Sequence, residues 1–180
     1  MVYLFLANGF EEIEALCPLD LLRRAGVDVT TVAIGGNDTV IGSHGIAVQA
    51  DLPEALYRDA KPEMIILPGG MPGTTNLDQS QAVERALRAA AANGAYLAAI
   101  CAAPMVLGKR GYLNGKRATC YPGFEEHLTG AQVCPDGVVV DGRVITAKGM
   151  GVAQEFGLAL VSLLCGNEKA DAIRKAIQAN

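Results

Sequence analysis

Residues 95–104 read AYLAAICAAP. The small and apolar run Ala95 to Ile100 is a strand candidate that ends at Cys101, and Pro104 fits the first turn of a helix, where its missing N–H costs nothing. The segment therefore predicts a strand, a sharp bend and a helix, the unit from which parallel sheets are built. A cysteine at such a bend stands above the carboxyl edge of the sheet, and the bend needs small neighbours, which Ala99, Ala102 and Ala103 supply. The helix start would favour a thiolate and lower the thiol pKa. Taken alone, the same cysteine reads somewhat better as a small buried hydrophobe, since free cysteines are among the most buried residues.

Outward from this unit the pattern repeats. Strand candidates lie at Val2 to Leu6, Val27 to Ala33, Met64 to Leu67 and Val144 to Ala147, alternating with helix candidates at Glu12 to Arg24, Gln81 to Ala92, Ala103 to Lys109, Ala153 to Leu164 and Glu168 to Ile177. Such alternation predicts an α/β three-layer sandwich with a parallel sheet covered on both faces, as one domain over residues 1–180. Two stretches depart from it. Thr39 to Val48 reads as a small hairpin, and Ala131 to Val140 into Arg143 to Ala147 reads as another, turning at Asp141 and Gly142. Ligands of open parallel sheets bind beyond the carboxyl ends of the strands. Those ends are Asn8 to Phe10, Pro68 to Gly73, Cys101 to Ala103 and Lys148 to Gly151.

The chain has 180 residues, 51% of them hydrophobic and 19% charged, with a formal net charge of −4. That length suits one core, and scattered Lys and Arg make no basic stripe for nucleic acid. The apolar run at Val2 to Ala7 is too short for a signal peptide and no stretch could span a bilayer, so a soluble, cytoplasmic protein is expected. Five cysteines, at 17, 101, 120, 134 and 165, include no C-x-x-C pair. Neither a disulfide framework nor a zinc cluster is indicated, and His44 and His127 lack neighbours at ligand spacing, so no metal is expected. Core packing accounts for Cys17, Cys134 and Cys165.

Three further motifs sit at strand ends. In LPGGMPG (67–73), the glycine pair Gly69 and Gly70 either turns the chain at positive φ or aims backbone N–H groups into the cleft as oxyanion donors. NGFEEIEAL (8–16) enters a helix with three carboxylates that suit its N-terminus. Ile13, Leu16 and Cys17 would share the inner face, leaving Glu14 at its rim, where partial burial would raise its pKa and equip it as a general acid and base. GMGVAQ (149–154) lacks the third glycine of a dinucleotide fingerprint and reads as helix entry lining the cleft.

Together GFEEIEALCPLDLLRRAG, ILPGG, AAICAAP, TCYPGFEEHL and TAKGMGVAQEFGLALV, in this order, resemble the ThiJ/PfpI superfamily, within it the parkinsonism-associated deglycase (DJ-1-like) branch. The resemblance covers nearly the whole chain. It implies a flavodoxin-like sandwich of the class I glutamine amidotransferase type, usually homodimeric, with no metal or organic cofactor. It implies Cys101 as a reactive cysteine, Glu14 as a protonated acid donating to its sulfur, and backbone donors at Gly69, Gly70 and Ala102. Activities proposed for relatives include glutathione-independent conversion of methylglyoxal to lactate, deglycation, and redox-dependent sensor or chaperone behaviour. Two departures stand out. Ala102 occupies the place where the protease branch has a histidine after the cysteine, which excludes a Cys-His dyad there. Tyr121 replaces the histidine that precedes the downstream proline in many deglycase members, and a phenol is a poor base at neutral pH although its hydroxyl can orient a carbonyl oxygen. The expected function is that of a cysteine-dependent enzyme acting on small carbonyls, the alternative a non-enzymatic oxidation sensor using the same thiol.

Overall fold

The computed structural model describes residues 1–58 and 61–179. In chain order it contains β1 (Val2–Ala7), α1 (Glu12–Arg24), β2 (Val29–Ile34), β3 (Thr39–Ile41), β4 (Ala47–Gln49), β5 (Leu52–Pro53), β6 (Met64–Leu67), α2 (Gly73–Gln79), α3 (Gln81–Ala92), β7 (Tyr96–Ile100), α4 (Pro104–Lys109), β8 (Arg117–Ala118), β9 (Gln132–Val133), β10 (Val138–Asp141), β11 (Val144–Ala147), α5 (Ala153–Cys165) and α6 (Asn167–Ala176). Seven strands form one sheet in the order β10-β11-β7-β6-β1-β2-β5, parallel except for the β10–β11 pair. No helix among the described residues is long and apolar enough to cross a membrane.

β1 shows why the sheet is covered twice. All six of its residues are buried, as a central parallel strand requires, and successive side chains point to opposite faces. Val2, Leu4 and Leu6 join a core with α1, α5 and α6, whereas Tyr3, Phe5 and Ala7 join a second core with α3 and α4. β6 divides in the same way, Met64 and Ile66 against Ile65 and Leu67. The result is the expected three-layer sandwich.

Topology fixes where a site can be. From β1 the chain runs outward to β2 and β5, then returns across β1 to β6, β7 and β11. The order of connection therefore reverses between β1 and β6, where diverging loops leave a crevice above the carboxyl ends. The loop after β1, the glycine pair after β6 and the bend after β7 all border it.

Several sequence expectations shift. The first hairpin forms as the separate β3–β4 pair, in register from Thr39 opposite Gln49 to Ile41 opposite Ala47. The second hairpin is shorter than predicted. Only Val138–Asp141 pairs with Val144–Ala147 across the Asp141–Gly142 turn, while Gln132 and Val133 pair in parallel with Arg117 and Ala118. Helix α2 was not predicted, since GTTNLDQ (73–79) lacks an apolar period. Its C-terminal Asp78 nevertheless matters: Arg110, at the end of α4, bonds both Asp78 (2.5 Å) and Glu84 of α3 (2.5 Å), tying the helix after Cys101 to its neighbours.

Helix α1 is held against α5 at a very close crossing. A Cβ at Gly157 would lie 2.6 Å from Leu21 Cδ1 and 3.0 Å from Pro18 Cα. Both partners belong to the buried face of α1, so neither can yield cheaply. Gly157→Val is expected to destabilise the fold by about 2–3 kcal/mol, the upper range for overpacking. Urea unfolding monitored by circular dichroism checks this.

Candidate active site

Cys101 is one of two non-glycine residues with positive φ among the described residues, at φ 65°. Such a conformation is costly for a residue with a Cβ and is kept only where its surroundings impose it. Here they do. Its N–H still extends the β7–β11 ladder, donating to Ala147 O (2.8 Å), while its carbonyl accepts from Tyr121 N (2.8 Å). Ala102 and Ala103 are buried beneath the bend, where larger side chains would not fit. Pro104 opens α4 at its first turn.

Glu14 reaches the sulfur from α1. The buried face of this helix comprises Glu12, Glu14, Ala15, Pro18, Leu19, Leu21 and Leu22, whereas Ile13 is 49% exposed. Of the expected inner face, Leu16 and Cys17 do pack half-buried against the core, but Ile13 is outside, and the helix turns Glu12 and Glu14 inward instead. Glu14 is 1% exposed and its Oε2 accepts from Gly69 N–H at 3.0 Å. The carboxyl also hydrogen-bonds the Cys101 thiol and the Met150 amide. Burial, aided by the nearby Glu11 charge, pushes the Glu14 pKa up to about 7 against those bonds.

The glycine pair divides its work. A Cβ on Gly69 would lie 2.5 Å from both Cys101 Cβ and Glu14 Oε2, so the thiol and the carboxyl pack on the bare Cα. Its N–H is committed to Glu14, not to the sulfur. Gly70, at φ 86°, and Ala102 instead supply the two amides that hydrogen-bond Cys101 Sγ. The sequence expectation of three donors at one point thus becomes two donors on sulfur and one on the acid.

The thiol pKa also departs from expectation. Burial first, then the Glu14 charge and hydrogen bond, push Cys101 up to about 12, against the opposing amides of Gly70 and Ala102. The lowering expected from a helix start does not prevail, because α4 has only six residues and the half-buried sulfur lies beside an acid. Thiol and carboxyl form one coupled unit holding a shared proton. Above about pH 7 that unit carries one proton and one negative charge. Below it, both groups are neutral.

Other candidate residues fall outside this unit. Tyr121 is 51% exposed beside the bend that its backbone clamps. His127 ends a 3-10 turn, Glu125–His127. Cys120 and Cys134 are buried, whereas Cys165 is exposed at the last turn of α5, contrary to the packing role expected for it. Folding brings together one group that sequence spacing hid: His44 Nδ1 lies 2.9 Å from Glu12 and 3.4 Å from Glu11. Among the described residues these three alone place metal-ligand atoms of three side chains within 4.8 Å of one another. Burial opposes ionisation of Glu12, but the ring and amide of His44 hold its pKa down to about 2. A polar cavity of about 510 Å³ near Asn8, Glu54 and Asn76 touches neither Cys101 nor Glu14.

Comparison with known proteins agrees with this fold. Protein dj-1beta of Drosophila melanogaster is 37% identical over 174 residues, covering 96% of this chain and 93% of that protein. The glutathione-independent glyoxalase DJR-1.2 of Caenorhabditis elegans is 34% identical over 172 residues, covering 93% and 89%. The structure of oxidized DJ-1 from Toxoplasma gondii superposes with a TM-score of 0.95 at 34% identity, over 99% of this chain and 97% of that one. The sandwich is thus flavodoxin-like, as the resemblance implied. Since the model of the DJ-1/PfpI family matches residues 1–163, the chain belongs to the DJ-1/PfpI family.

Proposed function

We propose that the chain is a cysteine-dependent enzyme that converts small α-oxoaldehydes such as methylglyoxal into α-hydroxy acids. The observation that carries this reading is the buried Glu14 carboxyl, hydrogen-bonded to the Cys101 thiol with its pKa raised to about 7. A group poised near neutral pH both takes and returns protons efficiently. The relative from Caenorhabditis elegans, a glutathione-independent glyoxalase by name, supports the same chemistry. Homodimerisation and a cytoplasmic location belong to this proposal through family membership.

The steps follow from the groups present. Cys101 sulfur bonds to the aldehyde carbon as the carbonyl π pair moves to oxygen. The thiol proton passes through Glu14 to that oxygen and gives a hemithioacetal. The amides of Gly70 and Ala102 stabilise the oxyanion as it develops beside the sulfur. Glu14 then removes the proton from C1 while a water molecule protonates the C2 carbonyl oxygen, forming an enediol. Glu14 returns its proton to C2 and the C1 hydroxyl gives its proton to the hydroxide left by that water, leaving an α-hydroxy thioester. Water cleaves the thioester, freeing the acid and the thiol. C1 is oxidised and C2 reduced within one molecule, so only water is consumed. Tyr121 acts through its hydroxyl, as an orienting group for the substrate carbonyl.

Lactate formation from methylglyoxal tests the reading. Cys101→Ala should abolish it, and Glu14→Gln should lower kcat/KM by about 10²–10⁴, the usual contribution of general acid–base catalysis. Equal rates in all three proteins would overturn the proposal. A mass gain confined to Cys101 under mild peroxide, without lactate, would transfer the site to the sensor alternative.

Two further outcomes depend on pH. The singly protonated Cys101–Glu14 unit predominates above about pH 7, so kcat/KM should rise through that region and level off, and this limb should vanish in Glu14→Gln. Stability runs oppositely. A carboxyl raised from 4.5 to about 7 contributes stability that is fully present below pH 4.5 and is lost as pH rises through 7. Glu14→Gln should therefore gain relative to wild type between pH 4 and pH 8, by about 3 kcal/mol. Thermal melts of both proteins at the two pH values read the difference.

A further inference from the structure

Against the backbone that clamps the Cys101 bend lies an apolar recess whose lining includes neither Cys101 nor Glu14. It has a volume of about 290 Å³, and its walls include Tyr121, Pro122, Gly149, Met150, Gly151 and Val152, with Lys148 as the one charged residue. Tyr121 and Met150 are 51% and 54% exposed, so two large apolar side chains face solvent at the rim of a reactive centre.

The recess shares its walls with the catalytic unit. Tyr121 N–H donates to the carbonyl of Cys101, and the Met150 amide bonds Glu14. Gly149 stands between the two. A Cβ there would lie 3.3 Å from Tyr121 Cδ2 and 3.7 Å from Glu14 Oε1, so the ring and the carboxyl flank its bare Cα. In the proposed chemistry C1 is bonded to sulfur and Glu14 serves C1 and then C2, which sets C2 beside the carboxyl that Gly149 adjoins.

Resting on the carbonyl reading above, we propose that this recess receives the substituent on the ketone carbon, so that the preferred α-oxoaldehydes carry an aryl or branched alkyl group. A methyl group leaves most of the space unfilled, whereas a phenyl ring covers the Tyr121, Met150 and Val152 walls and takes their apolar surface out of water.

The test compares phenylglyoxal with methylglyoxal in two ways. One is kcat/KM for α-hydroxy acid formation. The other is equilibrium protection of Cys101 from alkylation, read by mass spectrometry and normalised to addition of each aldehyde to a simple thiol. In wild type both should favour phenylglyoxal by about tenfold or more, the scale on which apolar pockets discriminate. An added Cβ at Gly151, on the wall of the recess, meets nothing within 4 Å, so Gly151→Leu adds apolar bulk there at little strain and should cancel most of that ratio. Met150→Ser, at an exposed position, should lower it as well. A wild-type ratio near one, or a ratio that neither variant changes, overturns the proposal. If Cys101 is protected with the expected ratio while neither aldehyde is turned over, the recess assignment stands and the enzymatic reading fails. Turnover of both aldehydes at equal efficiency does the reverse.

Discussion

A carboxyl and a thiol share one largely buried volume at the tip of the sheet, and a second charge there would have little solvation to stabilise it. Most local features of the chain answer to that constraint. Gly69 is bare because the sulfur and the carboxyl both rest on it. Four amides, from Gly69, Gly70, Ala102 and Met150, are turned towards the pair. Glu14 has to arrive on a rigid element, and α1 supplies one, clamped to α5 at Gly157. The left-handed bend at Cys101 is the backbone's share of the cost. Three strand ends meet there because the connections reverse between β1 and β6.

Much of this arrangement can be read from the sequence, for definite reasons. The strands of the sheet's centre are continuous apolar runs, and Met64–Leu67 and Val144–Ala147 have the predicted bounds. The bend is legible because small residues and Pro104 surround Cys101 in the chain itself. Glu14 is legible as a carboxyl at the rim of the inner face of α1, although Glu12 is buried with it. What the sequence misplaces is direction. The pattern of α1 predicts Ile13 inside, yet the helix buries Glu12 and Glu14 instead. An ordinary amphipathic helix would do the opposite, and the deviation marks a functional face.

The remaining misses share one cause: they depend on which groups face each other after folding. Residue order does not say whether the Gly69 amide points at sulfur or at carboxylate. The expected thiolate at a helix start weighs one local dipole, whereas the folded site adds burial and the Glu14 charge, and these dominate. His44 is separated from Glu12 by more than thirty positions, so its contact with that carboxylate has no sequence signature. Short elements such as β8 and β9, at two residues each, carry too little periodicity to register.

The β5 edge of the sheet has a bearing on solubility. β5 comprises two residues, of which Pro53 pairs opposite Ala33. Proline has no N–H to offer an incoming chain, and two residues are too few to align one. Strand addition from another molecule is therefore disfavoured along this border. A long parallel sheet rich in valine and isoleucine would otherwise present a ready template for fibril growth, and the border is blunted by covalent structure that persists at any pH and salt concentration.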